Sequence, residues 1–158
     1  MSLSHLITDR TTQDAECAKA LHAKAWQDMT EEEKVEWLSP LKGSYNYTDL
    51  NRVEEAVAYV AGRLKEYGYL PSLPDTRTWS VGDIPNASDF ARYLGNVAAL
   101  RRAIVVWKST PKAPDSIDRF AITEANALEQ ILVDLNQLLN NMADTWFYSG
   151  DLYLGEVW

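Results

Sequence analysis

Cysteine, histidine and basic charge are all scarce in this chain, and each shortage closes off a class of protein. Cys17 is the only cysteine. No internal disulfide can form and no cysteine-based zinc site exists, which fits synthesis in a reducing cytoplasm. His5 and His22 are the only histidines, and neither has a second histidine at metal-ligand spacing. They read as solvated or core side chains, and no metal is expected. Lys and Arg number 15 against 23 Asp and Glu, a net charge of −8. That balance opposes binding to nucleic acid, whose affinity comes from neutralising phosphates, and to an anionic membrane surface. No apolar run approaches the roughly 20 residues of a membrane span. The opening "MSLSHLITDR" lacks the basic start and apolar stretch of a secretory signal, so none is expected.

Catalytic signatures are missing too. The chain has no GxSxG, P-loop, GxGxxG or HExxH, so nothing points to a nucleotide, a cofactor or an activated nucleophile. Cys17 lies in an Ala-rich stretch without the polarised setting of a reactive thiol, and a half-buried, quiet thiol is expected. Glu31, Glu32, Glu33 and Glu36 supply carboxylates, and a glycosidase needs two across a cleft. At the start of a helix they favour the helix dipole and face solvent.

What the chain has in quantity is apolar periodicity and aromatic mass. Apolar residues make up 46% of 158, with six Trp and eight Tyr, enough for one domain with a single core. Five segments repeat at helical spacing. The first runs from about Thr11 to Gln27, capped at Thr11 or Thr12, with Ala15, Ala18, Leu21, Ala25 and Trp26 inward. "TEEE" starts the second at Thr30, with Glu33 completing a capping box, and Pro40 and Gly43 lie beyond its end. The third carries Leu50, Val53, Val57, Val60, Ala61, Leu64 and Tyr67 on one face. Asn46 caps it with Asp49 as a second acceptor, Thr48 is the rival cap, Tyr45 and Leu50 form a staple, and Gly68 stops it.

The fourth spans Ala87 to Trp107, with Phe90, Tyr93, Leu94, Val97, Leu100 and Ile104 on a face. The fifth runs from Thr123 to about Phe147, striped by Leu128, Ile131, Leu132, Leu135, Leu138, Leu139, Met142 and Trp146. The pattern predicts an all-α bundle of about five helices over residues 1–147, and an extended or β-like aromatic tail over 148–158. "TWSV", residues 78–81, is the other short β-like segment.

Three features invite a functional reading. Arg101 falls on the apolar face of the fourth helix, as a structural anchor or, less economically, an anion ligand. Tyr59 points away from the apolar face of the third helix and is a candidate partner contact. The tail is the main interaction candidate, through Tyr148, Leu152, Tyr153, Leu154 and Trp158. It either packs back on the bundle or adds a strand to a neighbouring chain.

The stretch "YNYTDLNRVEEAVAYVAGRL", residues 45–64, resembles a signature of small prophage proteins from Gram-positive gut bacteria. "ITDRTTQDAECAKAL", "TWSVGDIP", "ARYLGNVAALR", "EANALEQILVDLNQLL" and "YSGDLYLGEV" continue it in the same order, over nearly the whole chain. Cys17 and the tryptophan-ended tail depart from the group's pattern. Such proteins look like companions of tail-structure genes. The resemblance implies a non-enzymatic structural or assembly protein of a phage tail or phage-like particle. Its partners would be tail or particle proteins or further copies of itself, and its location the bacterial cytoplasm during assembly and then the particle. It carries over no catalytic residues. The alternative function is a surface-glycan binding module recognising a host, since aromatic rings suit sugar faces; a cell-wall hydrolase stands third.

Overall fold

Helix boundaries follow from side chains that satisfy the first free amides of each helix. The structure, a computed structural model, describes residues 3–118 and 120–149, with side chains through Thr145. Five α-helices form and no strand occurs among the described residues: α1 (Thr12–Ala23), α2 (Glu31–Trp37), α3 (Tyr47–Glu66), α4 (Ala87–Ala103) and α5 (Ile122–Ser149). Capping boxes open four of them. Thr11 pairs with Asp14, Thr30 with Glu33, Asn46 with Asp49 and Asn86 with Asp89. Each box closes two orphan amides and sets a carboxylate against the positive helix end. The Asn46 cap and the Thr30–Glu33 box are those expected from sequence.

Helix ends differ more. α3 closes as expected at Gly68, whose φ of 82° only glycine adopts without strain. The amides of Gly68 and Tyr69 return to Lys65 and Leu64, a Schellman closure. α1 stops at Ala23 instead of Gln27, with Lys24 extended and a single 3-10 turn at Trp26–Asp28. Ala25 and Trp26 therefore do not face inward; Trp26 is 50% exposed. α4 ends at Ala103 rather than Trp107, where the β-branched run Ile104–Val105–Val106 begins and Ile104 takes extended backbone. α5 continues to Ser149, so Tyr148 belongs to a helix and not to a tail. "TWSV" forms no strand. Trp79 is buried, and Asn51 clamps its backbone by accepting from its N–H and donating to its carbonyl.

The core lies between α3, α4 and α5, which pack mutually. Val53, Val57, Val60 and Leu64 of α3 meet Tyr93, Val97 and Leu100 of α4 and Leu128, Ile131, Leu132, Leu135 and Leu139 of α5. Burial of each large aliphatic chain contributes roughly 1.5–3 kcal/mol. α1 and α2 pack on each other as a hairpin at the side of this core. Their own buried residues, Ala18, Leu21 and Met29, stand outside the main cluster. Gly43 makes the hairpin's close approach possible: a Cβ there would lie 1.8 Å from the carbonyl oxygen of Asp14.

Candidate functional site

Two regions carry chemistry that core packing does not explain, one buried and one exposed. The buried one begins at Asp49, whose phase on α3 puts it inside. Its Oδ2 accepts from the Asn46 amide, and its Oδ1 accepts from Arg10 at 2.9 Å and from Arg52. Glu129 of α5, with no solvent exposure, faces the same two cations. Its Oε1 accepts from Arg10 at 2.7 Å and Arg52 at 2.9 Å, and its Oε2 from Arg52 at 3.0 Å and the Ile7 amide at 2.6 Å. Asn126 exchanges two hydrogen bonds with the Arg10 backbone. The segment before α1 is thus fastened across α3 and α5.

Two positive and two negative charges cancel there, with the carboxylate oxygens engaged. Burial disfavours the charge on Arg52. Hydrogen bonds and attraction from Glu129, then Asp49, more than offset it and hold the guanidinium above its ordinary pKa. Beside the cluster, Tyr45 and Tyr93 join hydroxyls. Burial pushes both phenols well above their usual range, and the neighbouring acids add to it.

An adjoining cavity of about 480 Å³ is lined by Arg10, Ala15, Tyr45, Phe120, Ile122 and Ala125, among others. Arg10 offers it little. Its terminal nitrogens are committed to Ile7, Asp49 and Glu129, and its unpartnered Nε is sealed from solvent. This arrangement fastens the fold; it presents no free acid, base or nucleophile.

The exposed region is the α1–α2 hairpin. Four large apolar side chains lie open within 13 positions: Trp26 at 50%, Val35 at 67%, Trp37 at 40% and Leu38 at 70% exposure. α2 buries none of its residues. Its inner side is held by Trp37, edge-on to Trp26 at 5.7 Å and to His22 at 6.1 Å, and by the Lys24–Glu33 ion pair. The Lys24 hydrogen bond, followed by that from the Thr30 amide, keeps the Glu33 carboxyl below its usual pKa. Lys34 lies over the Trp26 ring at 5.7 Å. A groove of about 520 Å³ continues from Trp37 and Leu38 past Pro40 and Leu41 to Tyr47 and Val81. Several of its polar groups are already engaged. Asn46 Oδ1 accepts from Thr48 twice, while Ser39 and Ser44 donate to backbone carbonyls.

The sequence candidates are dispersed. Tyr59 is half-buried and packs against the core, so it does not stand free on the surface. One turn further along α3, Arg63 donates across to Asn136 and Asn140 of α5. Tyr148 lies on α5, while Leu152, Tyr153, Leu154 and Trp158 fall outside the described residues. Arg101 is a structural anchor, donating to the carbonyls of Pro111 and Thr110. Cys17 is exposed, not half-buried.

Sequence reading passed over the hairpin because Trp26 was expected to face inward and Val35, Trp37 and Leu38 of the second helix were given no role. The signal was present: α2 is too short to bury one side while Val35 and Leu38 occupy the other. No group of three metal-ligating side chains able to hold an ion occurs among the described residues, and no helix there is long and apolar enough to cross a membrane. No protein-family model, curated protein or solved structure matches this chain.

Proposed function

We propose that this chain is a non-enzymatic structural or assembly protein of a phage tail or phage-like particle, working through protein–protein contacts. The setting rests on the ordered sequence resemblance. The observation that carries the contact reading is the hairpin, where α2 exposes Val35, Trp37 and Leu38 and buries nothing. Leaving such apolar area in water costs stability, and a partner recovers it on docking.

A glycan-binding role draws less support from the same surface. Sugar sites need open ring faces, and here the Trp26 and Trp37 rings meet edge to face while Ser39, Ser44 and the Asn46 amide oxygen serve the backbone. Mass spectrometry of purified particles, induced from a strain encoding the chain, tests the proposal. The chain should co-purify at fixed stoichiometry. Its absence from both particles and assembly intermediates would overturn the reading.

A further inference from the structure

Within that assembly reading, we infer that the outer face of α2 and its adjoining groove take a basic amphipathic helix of another protein. Three observations select this occupant. Val35 and Leu38 lie about 60° apart around α2, with Glu31 between them. They form a short apolar stripe on the side turned away from α1. Seven residues make a helix about 10 Å long, matched by two or three turns of a partner helix with anchors at i and i+3 or i+4. The apolar surface then continues into the groove through Leu38, Pro40, Tyr47 and Val81.

The second observation is charge. Glu31, Glu32 and Glu36 are all exposed, with the Glu31 side chain 88% open. Lys34, the cation within α2, turns back to Glu31 and to the Trp26 ring. The unpaired carboxylates of Glu32 and Glu36 therefore line the Val35 edge of the stripe, while Glu31 inside it is paired with Lys34, and a partner with Lys or Arg beside its apolar residues satisfies both parts. The third observation argues against a second copy on this face. Two such surfaces would set acidic rim against acidic rim in a chain of net charge −8.

Fluorescence anisotropy of the full chain with labelled helical peptides provides the test. One peptide carries Leu on a single face and Lys on the rest, the second replaces Lys by Glu, and the third scrambles the first. The Lys peptide should bind, weaken with salt, and lose about tenfold in affinity with Leu38→Ser or Val35→Ser. Both positions are exposed, so circular dichroism should show the fold intact. Leu70→Ser, at an apolar residue 81% exposed on another part of the surface, should leave binding unchanged.

The pair Glu32→Lys and Glu36→Lys should shift preference toward the Glu peptide. Failure of the Lys peptide to bind, equal binding of the Glu or scrambled peptide, or indifference to Leu38→Ser would each overturn the inference. So would a dimer in sedimentation that Leu38→Ser dissolves, which would make a second copy the occupant. If the peptide fails while the chain still co-purifies with particles, this partner chemistry falls and the assembly reading stands.

Discussion

Asp49 performs two jobs that sequence separates poorly. As the third residue of α3 it completes a capping box, which alone is worth about 1 kcal/mol. Its position on the apolar face of α3 was the readable hint of more. The partners were not readable, since Arg10 lies 39 residues before it in irregular backbone, and Glu129 contacts Arg10 across 119 residues. Removing one member of a buried ionic cluster leaves a buried charge uncompensated. Asp49→Ala should therefore lose about 3–5 kcal/mol in urea denaturation, and a loss near 1 would mean that only the cap operates. The Tyr45–Tyr93 pair makes a second residue-scale prediction. Both phenols ionise at higher pH in the folded than in the unfolded chain. Above the usual phenol value of 10.0 the unfolded chain loses protons that the folded one retains, so stability falls as pH rises, by about 1.4 kcal/mol per pH unit for each phenol. Tyr93→Phe should flatten that alkaline decline in melts between neutral and strongly basic pH. An unchanged slope would place the titration elsewhere.

At the scale of elements, starts were legible, and ends were legible only where a glycine writes them, as at Gly68. Helix starts are written in adjacent residues, as in "TEEE" or the Asn46–Asp49 pair, so local chemistry decides them. The end of α1 is set by the hairpin. Nothing local forbids Lys24–Ala25–Trp26 from continuing an Ala-rich helix, yet the chain turns there to bring α2 back beside α1. Gly43 then fixes how closely the following loop approaches, since its missing Cβ is the space next to the Asp14 carbonyl. Gly43→Ala should push the hairpin off its seat while leaving α3, α4 and α5 packed. Native-state hydrogen exchange should show faster exchange in residues 12–37 and unchanged protection in α3 and α5. Loss of protection everywhere would show that the hairpin and the core fold as one unit. Acid acts on the same element. Asp14 and Glu33 are held below their ordinary pKa, Asp14 first by the Thr11 hydroxyl and Glu33 first by Lys24. Depressed carboxyl values mean a contribution present above the unfolded pKa and lost as pH falls through the folded one. The hairpin should thus lose stability as pH drops below about 4, seen as faster hydrogen exchange in residues 12–37.

The whole molecule is a three-helix core with an ionic seam and an attached hairpin, and the all-α class follows from the stripes on α3, α4 and α5. Which helix leaves apolar side chains in the open does not follow from periodicity, because exposure of α2 depends on what the rest of the chain leaves uncovered. This bears on residues 150–158, whose sequence alternates Leu152 and Leu154 with aromatic neighbours. Every described core residue lies between Leu3 and Met142. Deleting residues 150–158 should therefore leave helical circular dichroism and the urea midpoint nearly unchanged. The deletion also sorts two contact surfaces. If Tyr153, Leu154 and Trp158 bind a particle component, truncation weakens co-purification with particles while peptide binding to α2 persists. If α2 alone supplies the contact, truncation changes neither, and Leu38→Ser weakens both. A truncated chain that unfolds would make the segment a strut of the core. Light scattering at matched concentrations, run beside the particle assay, completes the comparison: loss of self-association on truncation alone would assign copy–copy contact to the C-terminal segment and leave the acidic face of α2 for the other partner.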